Sequence, residues 1–203
     1  NSSFVKDRIR KYYGVGAQVI HPPVDTEFFA KVTHAPKEYF LVAGRLVAYK
    51  RFDLAIRAFN ELTLPLIVAG EGPELEKLRN SAGATVTFAG RVSDEELREL
   101  YAGARALVFP QEEDFGITAV EAMAVGCPVI SYRGGGALEH VIEGETGIFF
   151  DHERPGTLAK TIEKFLKMKF DPNAIRAHAK QFSKEVFKKK MQNTIQSVLS
   201  SRA

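Results

Sequence analysis

The chain has 203 residues, 45% hydrophobic and 26% charged, with a net charge of +3 at pH 7. That length carries one well-buried domain, or one domain with an appendage, and the composition is that of a soluble globular protein. A charge of +3 is too small to argue for nucleic acid, the single cysteine (Cys127) excludes an internal disulfide, and no apolar run approaches the ~20 residues of a membrane-spanning helix.

The chain opens Asn-Ser-Ser with neither Met nor an apolar leader, and is expected to be a piece of a longer protein. Residues 4–13 are amphipathic, with Ser2 or Ser3 as the cap and Gly14 and Gly16 as the stop, which predicts a short helix. Residues 18–21 are expected to form a brief strand. Pro22-Pro23 then stiffens the path, and the stretch through Phe29 reads as a linker into a new unit.

From Tyr39 the pattern is regular. Apolar runs at 39–44, 64–70, 85–90, 106–109, 128–132 and 148–150 alternate with helical stretches, among them 51–62, 73–80, 94–103 and one entered at about Gly116. Ser93 and Glu96 form a capping box at the start of the third of these. Short, continuously apolar strands between helices specify a parallel sheet covered on both faces. The expected fold is therefore α/β, a doubly wound, six-stranded Rossmann-like sheet. After Asp151 the chain reads as helical throughout, over 155–169 and then from Asn173 or Ser183 to Ser200. Its last helix carries Phe182, Val186, Phe187, Met191, Ile195 and Val198 beside Lys184 and Lys188 to Lys190. Such a basic amphipathic helix packs on its own or another domain, the favoured reading, or lies on a membrane.

In an open α/β sheet, ligands bind beyond the C-terminal strand ends, at the point where strand order reverses. The first such end is Gly44-Arg-Leu-Val-Ala-Tyr-Lys50. Gly44 permits a tight turn, and Arg45 and Lys50 in one loop can clamp a diphosphate. The stretch 109–128 leaves a strand through an acidic loop and enters a helix, with Glu113 before the helix start and Glu121 about a turn and a half inside. A helix N-terminus favours a phosphate, and a carboxylate on either side suits hydroxyl groups flanking it, as in a nucleotide sugar. Acidic residues also precede helices simply because they suit the dipole. Gly70-Glu-Gly-Pro73 lacks the third glycine of a dinucleotide fingerprint and reads as a strand-to-helix turn. Gly90-Arg-Val-Ser93 can present backbone groups to a base. The glycines of Arg133-Gly-Gly-Gly136 permit close approach by a ligand or another domain, or make a flexible turn. None of the five histidines pairs with a Cys or carboxylate at metal-ligand spacing, and no metal is expected.

Together, Gly44-Arg-Leu…Lys50, Gly70-Glu-Gly-Pro73, Gly90-Arg-Val and Glu113-Asp-Phe-Gly-Ile…Glu121-Ala-Met-Ala resemble the retaining GT-B glycosyltransferases of family 4. The stretch Val19-Ile-His-Pro-Pro-Val-Asp-Thr-Glu-Phe28 is similar to that family's interdomain hinge, so the likeness spans residues 19–150. Glu112-Glu-Asp-Phe-Gly116, with Pro22-Pro23, is most similar to O-antigen-type mannosyltransferases. The resemblance implies that Arg45 and Lys50 hold the diphosphate and stabilise the leaving nucleoside diphosphate. Glu113 would contact the sugar hydroxyls, and the amides of Phe115, Gly116, Ile117 and Thr118 would reach sugar and phosphate, with Gly44 shaping the turn. Glu121 would accept the ribose hydroxyls and Val92 would hold the base. Asp114 stands where the family often has glycine, which leaves the sugar contacts open.

The implied donor is GDP-mannose and the implied acceptor a glycan or lipid-linked molecule, with no cofactor beyond the donor. The resemblance divides the chain into the end of an N-terminal acceptor domain with the hinge (1–21), a donor-binding domain (22–182) and a C-terminal crossover helix (183–203). The rest of the acceptor domain is expected to be missing, so the chain alone should bind donor nucleotide weakly and transfer no sugar. The expected location is cytoplasmic, with peripheral contact at the cytoplasmic face of a membrane as a further candidate. Rival readings are a nucleotide-sugar epimerase of GT-B fold and a non-catalytic nucleotide-binding module; a dinucleotide dehydrogenase is disfavoured by the missing glycine.

Overall fold

Each of the six apolar runs becomes a strand: β1 (Phe40–Ala43), β2 (Leu66–Ala69), β3 (Val86–Gly90), β4 (Leu107–Phe109), β5 (Val129–Tyr132) and β6 (Gly147–Phe150). In this computed structural model, which describes residues 1–200, they form one parallel sheet in the order β3-β2-β1-β4-β5-β6. This is the doubly wound fold the alternation predicts. Side chains of successive strand residues point to opposite faces, so β1 sends Leu41 and Ala43 into one core and Phe40 and Val42 into the other. Burying each large side chain of this kind contributes about 1.5–3 kcal/mol.

The helices fill the two faces. One face carries α5 (Asp94–Gly103), α6 (Ile117–Val125) and α9 (Pro172–Ala179), through Tyr101, Val120, Met123 and Ile175. The other carries α3 (Phe52–Leu62), α4 (Leu75–Ser81) and α8 (Pro155–Phe165), through Phe59, Leu78, Leu158 and Ile162. The capping box at Ser93 and Glu96 forms as expected.

Elsewhere the structure corrects the sequence reading. Residues 18–21 make no strand. Pro22 and Pro23 have no N–H to give a ladder, and only Val24 bridges, donating its N–H to the Phe182 carbonyl at 3.0 Å. The expected linker ends there, because Asp25 caps a four-residue helix, α2 (Thr26–Phe29), that packs on α6 with Phe29 buried. A second four-residue helix, α7 (Ala137–His140), follows the glycine run. The C-terminal stretch is two helices, α9 and α10 (Lys184–Ser200), separated by a 3-10 turn at Lys180–Phe182. Positions 201–203 of the expected crossover helix lie outside the described residues.

The N-terminal helix, α1 (Ser3–Tyr13), is capped by the buried Ser2 and closed by a left-handed Gly14. It docks through polar contacts. The Ser3 amide donates to Glu139 Oε1 at 2.6 Å and Arg8 pairs with Asp114 at 2.9 Å; beyond the helix, His21 Nε2 donates to Glu139 Oε2 at 2.8 Å. Neither α1 nor α10 has a buried residue, and Tyr12, Tyr13, Ile195 and Leu199 are exposed. No described helix is long and apolar enough to cross a membrane.

Candidate functional site

The strand order reverses between β1 and β4, so the loops that leave these strands diverge and open a crevice between them. The β1 loop begins at Gly44 (φ 142°), whose N–H bonds to the Ala69 carbonyl. It continues through a 3-10 turn, Ala48–Lys50, that brings Lys50 back over its own start. A Cβ on Gly44 would stand 3.1 Å from Lys50 Nζ, so the missing side chain makes room for the ammonium group. Arg45 is exposed on the same loop.

The β4 loop carries Glu113. Its Oε1 meets Lys50 Nζ at 2.8 Å, which ties the two loops together across the switch point. The loop then enters α6 at Gly116, whose φ of 93° is a left-handed value open to glycine. No side chain caps this helix, so its first amides, at Ile117 and Thr118, face the crevice as anion donors. Two cavities adjoin there. One, of about 460 Å³, is lined by Arg45, Val92, Arg91 and Thr118, and the other, of about 600 Å³, by Glu113, Asp114, Phe115, Gly116, Ile117 and again Thr118. A cavity of about 620 Å³ lies away from this region, between α2 and α9. There Arg176 spends its donors on the carbonyls of Val125 and Val32, so size alone does not mark the site.

The glycine run decides how the loop sits. Gly136 donates to the Glu113 carbonyl at 2.8 Å. A Cβ on Gly135 would stand 2.3 Å from that same oxygen, and one on Gly136 would stand 2.3 Å from Phe115 Cα. The glycines of the run therefore seat the β4 loop, because only a residue without a side chain lets the backbone of 113–115 come this close. Below, His140 donates Nε2–H to the Phe115 carbonyl at 2.6 Å. Burial pushes His140 down to about 4, so it is a neutral donor at ordinary pH. Gly70-Glu-Gly-Pro73 behaves as the strand-to-helix turn read from its residues. Leu46 donates to the Glu71 carbonyl at 2.9 Å, and Glu74 donates to the Leu46 carbonyl at 3.1 Å.

Glu121 sits further along α6, where the fully buried Tyr101 donates its hydroxyl to Oε2 at 3.2 Å. Burial pushes the carboxyl up to about 7; the Tyr101 hydroxyl opposes this and the Asp94 charge adds to it. The folded chain thus holds a proton there that the unfolded chain, at about 4.5, has released. The stability this proton supports is complete below about 4.5 and is lost as pH rises through about 7. Replacing Glu121 with Gln should leave the melting temperature unchanged near pH 4 and raise it by about 8 °C at pH 8.5. Calorimetry at the two pH values checks this, and an equal shift at both would contradict it.

Thus Arg45, Lys50, Glu113, Gly44, Val92, Phe115, Gly116, Ile117 and Thr118 gather around one crevice, with Glu121 held behind on Tyr101. Arg8, Gln111 and Tyr101 carry no expectation from the sequence, and Arg91 enters it only within Gly90-Arg-Val-Ser93, with no role of its own side chain. Arg91 had the same signal as Arg45, a cation just past a strand end. Tyr101 carries no local signal, because its partner Glu121 lies on another helix, and Gln111, two residues from Glu113, shows its role only once its burial is known. Among the described residues, no group of three or more His, Cys, Asp or Glu could hold a metal ion.

The family described as "Glycosyl transferases group 1" matches residues 24–185. The GDP-mannose-dependent alpha-(1-6)-phosphatidylinositol monomannoside mannosyltransferase of Mycolicibacterium smegmatis is 32% identical over 181 residues, covering 74% of this chain and 47% of that protein. The D-inositol 3-phosphate glycosyltransferase of the same organism is 32% identical over 191 residues, covering 81% of this chain and 44% of that protein. The chain spans about half the length of such relatives. Among solved structures, Anabaena Alr3699/HepE in complex with UDP superposes with a TM-score of 0.84 at 21% identity, over 97% of this chain and 62% of that one.

Proposed function

Because the chain belongs to the group 1 glycosyl transferases, we propose that it is the donor-binding half of a family 4, GT-B hexosyltransferase. In this reading the whole protein moves mannose from GDP-mannose to a glycan or lipid-linked acceptor, with retention. The observation that carries the reading is the Lys50–Glu113 contact, which joins a cation and a carboxylate across the switch point beside the uncapped start of α6. A diphosphate entering there draws Lys50 from Glu113 and gains Arg45 and the Ile117 and Thr118 amides. Glu113 is then free to accept from sugar hydroxyls. As the glycosidic bond breaks, charge grows on the diphosphate, where two cations and a helix N-terminus are already aimed. Glu121 accepts from the ribose hydroxyls, and Val92 lies against the base. No metal ion is called for.

Residues 22–182 would bind the donor, while the exposed apolar side chains of α1 and α10 would face a second, acceptor-binding lobe. The nucleotide-sugar donor suits a cytoplasmic location. Mannose is favoured by the likeness to the GDP-mannose-dependent mannosyltransferase of Mycolicibacterium smegmatis.

A thermal-shift panel of GDP-mannose, UDP-glucose, UDP-GlcNAc and ADP-glucose tests the reading. GDP-mannose is expected to raise the melting temperature most. Stabilisation by UDP sugars with GDP-mannose silent would overturn the donor, and silence from all of them would overturn donor binding. Product analysis with the longer protein separates sugar transfer from epimerisation.

A further inference from the structure

Gln111 lies at the mouth of β4 and is 1% exposed. Its Nε2 points at Glu113 Oε1, 3.3 Å away, the same oxygen that Lys50 meets at 2.8 Å. Its own Oε1 is buried without a partner. The amide orientation follows from chemistry: an ionised carboxylate only accepts, so a flipped amide would set oxygen against oxygen. Leaving a buried acceptor unmet is costly, and a Leu or Met of similar volume would avoid that cost. A site that keeps the amide gains the one thing it offers, a fixed neutral donor to Glu113.

We propose that Gln111 is a positioning residue, which holds the Glu113 carboxylate in its sugar-binding orientation once Lys50 turns to the diphosphate. This rests on the donor-binding reading above. Lys50 and Gln111 share Glu113 Oε1. When a diphosphate draws the ammonium away, Glu113 loses its main anchor just as the sugar needs it. Gln111 carries no charge for the diphosphate to attract, so its hydrogen bond persists through the exchange. Its effect acts on the sugar end of the donor and not on the nucleotide end.

The test compares a nucleotide sugar with its bare nucleotide. Calorimetric titration of the chain with GDP-mannose and GDP, and with UDP-glucose and UDP, reads the contribution of the sugar as a ratio of affinities. Gln111→Met, which keeps the volume, should weaken nucleotide-sugar binding about tenfold, the loss of one hydrogen bond to a charged group, and leave the nucleoside diphosphate within about twofold. A general structural defect would weaken both alike, and that result overturns the inference. So does a wild-type chain that binds sugar nucleotide and bare nucleotide equally, or a variant with an unchanged ratio. If Gln111→Met fails to fold, Gln111→Asn, whose shorter amide falls away from Glu113, should give the same selective loss. A wild-type chain that binds no nucleotide at all overturns the donor-binding reading itself.

Discussion

Lys50→Ala is expected to weaken GDP-mannose binding by about 100-fold. One charge-assisted contact to phosphate is worth roughly 1.5–3 kcal/mol, or about 10- to 150-fold. The wild-type structure adds a second loss. Lys50 and Glu113 expose only 12% and 18% of their side chains, so removing the ammonium leaves a half-buried carboxylate facing the incoming diphosphate. That repulsion is absent in the double variant Lys50→Ala/Glu113→Gln. Its affinity for free GDP should therefore exceed that of Lys50→Ala alone, while its GDP-mannose affinity stays low for want of the sugar's acceptor. Titration of the four proteins in a double-mutant cycle gives the coupling directly. Should Lys50→Ala bind GDP-mannose within about threefold of wild type, the diphosphate does not sit against Lys50.

Gly136→Ala is the second large effect. Its cost comes from contact and not from dihedral strain, since Gly136 has an ordinary φ of −68°. The new methyl would stand 2.3 Å from Phe115 Cα and 2.5 Å from the Asp114 carbonyl oxygen. Both are backbone atoms, with no flexible side chain to move aside. The loop carrying Glu113 has to retreat by about 1 Å, and displacements of that size cost up to about 100-fold where geometry matters. Stability should fall by about 2 kcal/mol, in the range of an overpacked core, and GDP-mannose affinity by at least about tenfold. Gly156→Ala is the control: nothing lies within 4 Å of its added Cβ, and in the first turn of α8 the change should stabilise by up to about 1 kcal/mol. Calorimetric melting and titration of both variants decide the matter. A Gly136→Ala chain that behaves like Gly156→Ala would show that the glycine run does not seat the loop.

The polar docking of α1 ties it to the β4 loop and to α7. Arg8 reaches Asp114 and the Ser3 amide reaches Glu139, so the first helix touches the β4 loop and α7 without burying a side chain of its own. His21 stacks on the Phe115 ring at 5.4 Å while donating to the same Glu139. The segment before Pro22 and the β4 loop are thus in direct contact, and the exposed Arg8–Asp114 pair contributes only about 0–1 kcal/mol.

The sequence by itself determined the sheet. Runs such as Phe40-Leu-Val-Ala43 are apolar at every position because parallel strands are buried on both faces, and that pattern is local. It also located the charged loops, since Arg45, Lys50 and Glu113 each stand just past a strand end. It could not place α2 and α7, whose four residues are too few to show a helical period. Nor could it reject a strand at residues 18–21, because a strand exists only where a neighbouring edge accepts its hydrogen bonds. The seat made by Gly135 and Gly136, the meeting of Lys50 with Glu113, and the Tyr101 hydroxyl on Glu121 were decided by the tertiary structure alone. Each joins residues from separate parts of the fold. Their distances are set by how strands and helices pack, and no short stretch of sequence contains both partners together with the packing that brings them into contact.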